Sequence, residues 1–159
     1  MATPTEPWAA ALGRIPSGLF ILTVKSPHGE TGMLASWVQQ CSFAPPQITA
    51  AIKKGRYVLD WLSEGTAFAV NVLPEETKAF LKHFGKGFEP GEDAFVGWDV
   101  QRDGESASVL LAAHAYLNCR VVGHLDAGDH ALILGRVIDG KVLSDAKPAT
   151  HVRRSGATY

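Results

Sequence analysis

Two long strand-like runs, Ala112 to Leu125 and His130 to Ile138, flank the tight turn Asp126-Ala127-Gly128-Asp129. A short turn of acidic residues and glycine between apolar runs specifies a β-hairpin. The rest of the chain fits a β-rich fold. Leu19 to Val24 is a continuous apolar run suited to a buried strand, preceded by a short helix over Trp8 to Ile15 that Pro16-Ser17-Gly18 stops. After the turn Ser26 to Gly29, the stretch Thr31 to Phe43 mixes apolar and small polar residues in one strand-like segment ending at Pro45-Pro46, and Gln47 to Ile52 is the next strand.

Lys53 to Arg56 forms a turn into a helix that carries Val58, Leu59, Trp61 and Leu62 and stops at Gly65. Ala67 to Leu73 reads as a strand. Pro74-Glu75-Glu76-Thr77 opens a second helix bearing Phe80, Leu81 and Phe84, Gly85 to Asp99 is irregular, and the tail from Lys141 is less regular again. Many strands, two or three helices and no strict βαβ alternation predict a mainly β chain, an antiparallel barrel with the helices at its periphery.

A length of 159 residues with 46% apolar side chains predicts one domain spanning 1–159. Net charge of −1 provides no electrostatic basis for binding nucleic acid or an anionic membrane, so a small molecule is the expected partner. Met1 to Trp8 has no basic stretch followed by an apolar run, and no segment reaches the ~20 apolar residues of a membrane helix. A cytoplasmic protein is expected. Cys41 and Cys119, each in an apolar run without a CxxC partner, read as small buried thiols in a reducing compartment. The histidines at 28, 83, 114, 124, 130 and 151 show no HxH or HExxH spacing, so no metal is expected.

No GxSxG elbow, Walker loop or Rossmann fingerprint is present, and Gly85-Lys86-Gly87-Phe88-Glu89-Pro90-Gly91 reads as an irregular surface loop. Three features can carry chemistry. Ser36, Gln39, Gln40 and Ser42 place hydroxyl and amide groups in an otherwise apolar neighbourhood, and small Ala35 lets a planar ring approach the backbone. The same residues also suit an edge strand with a wet polar face. Lys53-Lys54-Gly55-Arg56 brings cations to a helix start, as a phosphate site or as an ordinary basic turn. Gly128-Asp129-His130 puts an imidazole beside a carboxylate at the hairpin's end, for a ligand or for the turn itself. Trp37, Trp61 and Phe84 suit ring stacking or the core.

The segments Leu12 to Gly18, Gly32 to Pro46, Asn71 to Leu73, and Gly128-Asp129-His130 through Val137 occur in the order and spacing of a known family. Over almost its whole length the chain resembles the flavin-reductase-like, FMN-binding split-barrel family. Met33 to Trp37, His83-Phe84, Pro90 to Asp93 and Arg154 to Tyr159 resemble the C-terminal flavin-reductase module of diflavin flavodiiron proteins, whose diiron and flavodoxin-like modules are not in this sequence. The chain's own Met1 favours a free-standing relative over an excised module.

The resemblance implies a Greek-key-like split barrel, homodimeric, with one FMN per subunit near the interface and FAD as the alternative. Met33, Leu34, Ala35, Ser36 and Trp37, with Gln40, Cys41 and Ser42, would line the isoalloxazine and ribityl chain, and Lys54 and Arg56 would hold the phosphate. His130 would face the nicotinamide as the catalytic residue, and Gly156 and Tyr159 would close over the flavin. The implied reaction is hydride transfer from C4 of NAD(P)H to flavin N5, with reduced flavin or electrons passing to an acceptor protein. A non-catalytic, flavoredoxin-like electron carrier is the alternative. A barrel for another ligand or oligonucleotides, and a pyridoxamine-phosphate-oxidase-like activity, are more distant.

Overall fold

The structure is a computed structural model and describes residues 6–159, so the reading of Met1–Thr5 lies outside the described residues. In chain order the elements are α1 (Pro7–Gly13), β1 (Ser17–Gly18), β2 (Phe20–Ser26), β3 (Gly29–Ala35), β4 (Val38–Phe43), β5 (Pro46–Lys53), α2 (Tyr57–Trp61), β6 (Ala67–Val72) and α3 (Lys78–Phe84). They continue with β7 (Val100–Gln101), β8 (Val109–Leu110), β9 (Ala115–Asp126), β10 (His130–Val142) and β11 (Thr150–His151). The mainly β, antiparallel reading holds, and the helices are short and peripheral.

Seven strands form one antiparallel sheet in the order β3-β2-β6-β9-β10-β5-β4. The stretch expected as one strand, Thr31 to Phe43, is therefore divided between opposite edges: β3 pairs with β2, and β4 pairs with β5. Laid flat, six strand spacings would separate those edges by roughly 29 Å. Yet only Ser36 and Trp37 connect them, and from Ala35 to Val38 the chain reaches at most about 11 Å. The sheet must curl until its edges meet at this crossover. The break was not visible locally because each half takes its partner from elsewhere in the chain.

The curl explains the unbroken apolar run in β2, where Ile21, Leu22, Thr23 and Val24 are all buried. Leu22 and Val24 face an inner cluster with Ile52, Phe68, Val70, Val121 and Ile133. Ile21 faces an outer cluster with Leu73, Phe80, Phe84, Phe95 and Leu110, under α3 and the segment that follows it. Strands covered on both faces lose the polar alternation of a half-exposed sheet. Buried Asn71 ties the outer layer down: its amide donates to the Ile21 carbonyl at 3.0 Å and its oxygen accepts from the Leu110 N–H at 2.8 Å.

The second helix begins later than its sequence suggests. Pro74 bridges Pro148, and the Glu75 N–H donates to the Lys147 carbonyl at 2.8 Å, so the main chain at 74–75 is bound to the tail and α3 starts only at Lys78. The tail is more regular than expected: β10 extends to Val142 along β9, and β11 pairs with β1. Cys119 is buried as expected, but Cys41 is exposed, because it is the bulged residue between Gln40 and Ser42 on the free edge strand β4.

Candidate functional site

The crossover opens onto a cavity of about 390 Å³, within the range of small-molecule sites. Met33, Leu34 and Ala35 at the end of β3, with Ser36 and Trp37, form one wall. Ala51, Ile52 and Lys53 from β5, then Arg56 before α2, form another, and Leu81, Phe84 and the loop Gly85-Lys86-Gly87 contribute from α3. Leu19, His151 and Tyr159 complete the lining. Three of these residues are Lys or Arg and none is Asp or Glu. The cavity is basic, walled largely by apolar side chains, and suited to an anion attached to an apolar ring.

Trp37 is held from several sides. Its carbonyl accepts from the Ala51 N–H at 2.9 Å, fixing the crossover against β5. Its indole centroid lies 4.8 Å from the His130 ring and 5.6 Å from the Tyr159 ring, and the Arg153 guanidinium stands 4.9 Å over it. The segment bearing Arg153 and Tyr159 is laid against α1. The Arg153 N–H donates to the Gly13 carbonyl at 3.0 Å, and a Cβ at Gly13 would come within 2.6 Å of the Arg153 oxygen. Only glycine permits that approach.

His130 opens β10 with its ring buried. Its Nδ1 lies 2.8 Å from the Asp129 carboxylate and its Nε2 is hydrogen-bonded to the Tyr159 hydroxyl. The hydrogen bond from His130 holds the Asp129 carboxyl below the usual carboxylate value, and burial pushes the Tyr159 hydroxyl up. Of the residues singled out by sequence, Met33, Leu34, Ala35, Ser36, Trp37, Arg56 and Tyr159 come together around the cavity. His130 stands behind Trp37 and Tyr159.

Gln40, Cys41, Ser42 and Lys54 do not line the cavity. The first three run away from it along β4. Lys54 donates instead to Asp126 at 2.6 Å, and its backbone N–H to the Asp129 carbonyl at 2.9 Å, at the hairpin turn. Neighbouring Lys53, the last residue of β5, lines the cavity, while Lys54 lies beyond the strand in the turn. The loop at Gly85–Gly87, expected to be an irregular surface loop, forms part of the wall with Lys86. The signal available was a lysine between two glycines directly after an apolar helix. His151 was passed over because nothing local sets it apart. Among the described residues no group of three His, Cys, Asp or Glu side chains is placed to hold a metal, and no helix is long and apolar enough to cross a membrane.

Comparison with known proteins gives these residues a context. A diflavin flavoprotein of Nostoc sp. is 39% identical over 160 residues, covering 99% of this chain and 28% of that protein. Diflavin flavoprotein A 1 of Synechocystis sp. is 37% identical over 151 residues, covering 94% of this chain and 26% of that protein. The chain thus spans about a quarter of the length of these curated relatives. Among solved structures, the Streptomyces globisporus C-1027 NADH:FAD oxidoreductase SgcE6 superposes with a TM-score of 0.81 at 26% identity, over 90% of this chain and 85% of that one. Flavin reductase PheA2 superposes with a TM-score of 0.74 at 26% identity, over 90% of each chain. The flavin reductase like domain matches residues 12–158, nearly the whole length over which the fold and the cavity are built, and the chain belongs to that family.

Proposed function

We propose that the cavity holds FMN, with FAD as the alternative, and that the protein acts as an NAD(P)H:flavin oxidoreductase. The observation that carries this reading is the lining itself. Lys53, Arg56 and Lys86 share one cavity with Leu34, Ala35, Phe84 and the Trp37 ring, and no carboxylate opposes them. Cations suit the phosphate of a flavin nucleotide, and small or flat apolar side chains suit its ring. Family membership supports the same reading, as does the name NADH:FAD oxidoreductase of a solved relative.

When bound, the flavin supplies the two-electron acceptor for the hydride of a reduced nicotinamide. This chain's residues position and enclose. Lys53, Arg56 and Lys86 would neutralise the phosphate, the crossover at Ser36–Trp37 would seat the ring, and the segment 153–159 covers Trp37. His130, behind Trp37 and Tyr159, would act on a bound ligand only through Tyr159. Lys54, Gln40, Cys41 and Ser42 have no part in this proposal.

The reading includes one domain over the chain and a homodimer. It also includes an acceptor protein for the electrons. The test is an absorbance spectrum of the purified protein with and without added FMN, repeated anaerobically with NADH and then NADPH. Flavin bands that bleach with a donor are expected. Bound flavin that resists both donors would indicate an electron carrier, and failure to bind flavin would overturn the proposal.

A further inference from the structure

We propose that Asp129 is a positioning residue: through His130 it makes the Tyr159 oxygen a hydrogen-bond acceptor facing the cavity, which favours a ligand ring carrying an amide-type N–H. This rests on the flavin and nicotinamide reading of the cavity, and names what one of its polar groups selects.

Three side chains in series, Asp129, His130 and Tyr159, fix where the protons sit. A carboxylate only accepts hydrogen bonds, so the 2.8 Å contact between Asp129 Oδ1 and His130 Nδ1 places a proton on Nδ1. In a neutral imidazole Nε2 is then a bare acceptor. Nε2 faces the Tyr159 hydroxyl, so the single hydroxyl hydrogen points at His130 and away from the cavity. Only lone pairs remain on the oxygen for a ligand, and Tyr159 lines the cavity.

The surroundings enforce this arrangement. The His130 ring is buried against Trp37, which limits its rotation. The charged groups that act on the Tyr159 hydroxyl are Arg56, Arg153 and Asp129, and Lys53 acts on Asp129. The two arginines and the lysine donate only, so they cannot take the hydroxyl proton from His130. The Asp129 side chain is 84% exposed and packs against little, so its replacement leaves the fold in place.

Two rings in this chemistry carry an amide-type N–H: the flavin at N3 and the nicotinamide in its carboxamide. The experiment separates them. Nitrogen-15 NMR of the ligand-free, full-length protein reads the His130 tautomer, with Nε2 at a pyridine-like shift expected. Asp129→Ala is expected to move the proton to Nε2, while Tyr159→Phe leaves it on Nδ1. Calorimetric titration then compares FMN with 3-methyl-FMN and, on the flavin-loaded protein, NAD⁺ with its 3-acetylpyridine analogue, which keeps the carbonyl and lacks the N–H.

The native protein should favour the N–H member of one pair by roughly three- to tenfold, the worth of one hydrogen bond. Both variants should bring that ratio to about twofold or less, and the pair affected identifies the ring. Unchanged imidazole shifts in Asp129→Ala, equal affinities within both pairs, or a preference that survives Tyr159→Phe would overturn the proposal. If neither flavin nor dinucleotide binds, the reading of the cavity falls and the ligand selection with it; the tautomer measurement, made without ligand, shows separately whether the proton placement holds.

Discussion

The guanidinium carbon of Arg153 stands 4.9 Å from the centre of the Trp37 ring, while the Arg153 side chain also donates to the Thr158 carbonyl at 3.3 Å. One residue thus joins the crossover to the segment that covers it. A cation over a partly exposed indole contributes about 0.5–1 kcal/mol. Arg153→Ala should loosen 153–159 and weaken flavin binding roughly threefold to fivefold in a fluorescence titration. Arg153→Lys should recover only part, since an ammonium lacks the planar stacking of a guanidinium. Unchanged affinity in the alanine variant would remove the segment from the site.

The cations divide into two groups. Arg56→Ala and Lys86→Ala should each weaken FMN binding about tenfold while leaving riboflavin, which has no phosphate, almost unaffected. Lys54→Ala should change neither, because its ammonium is already paired with Asp126 in a solvent-exposed ion pair. Titrating both ligands against the three variants checks the assignment. A Lys54 effect equal to that of Arg56 would return the phosphate to the hairpin turn.

Gly135 in β10 lies at a register shift in the β9 ladder, where a Cβ would run into the ring of Phe68. Phe68 is buried in the inner cluster and has nowhere to retreat. Gly135→Ala is expected to destabilise the fold by about 1–3 kcal/mol, read from urea unfolding followed by circular dichroism. A midpoint unchanged from that of the native protein would mean that the strand yields more readily than close packing allows.

Burial, with a smaller contribution from Asp139, pushes the Cys119 thiol from 9.0 up to about 12. Between those values the unfolded chain loses the thiol proton and the folded chain keeps it, so stability falls as pH rises from 9 toward 12. Each pH unit is worth about 1.4 kcal/mol, so the loss approaches ~4 kcal/mol at the upper end. Cys119→Ala should flatten this alkaline slope, at a cost of about 1 kcal/mol at neutral pH. Unfolding curves across the range decide it; an equal slope in the variant would assign the loss to other groups.

Elements built from local pattern were legible in the sequence: the hairpin at Asp126–Asp129, the doubly covered strand β2, and α2 following the basic turn. The misreadings were of partnership. Ser36–Trp37 belongs to a crossover because β3 and β4 pair at opposite edges, which no pattern within 31–43 reveals. The helix signal of Pro74-Glu75-Glu76 lost to main-chain bonds with a segment more than seventy residues away. Cys41 looked buried by composition and is exposed by its place on an edge. In the site, β5 ends at Lys53, so Lys54 falls in the turn, where its partner Asp126 comes from the distant hairpin. Lys86 was hidden in a loop that only the fold brings to the cavity.

Ser36 and Trp37 also give the sheet a gap at a fixed address, between two edges that approach each other without pairing. Main-chain amides and carbonyls beside such a gap are present whatever side chains the strands carry. They add donors and acceptors to the cations and apolar side chains that line the cavity, and a substitution in either strand leaves them in place. The backbone is shared at a TM-score of 0.81 with a chain only 26% identical.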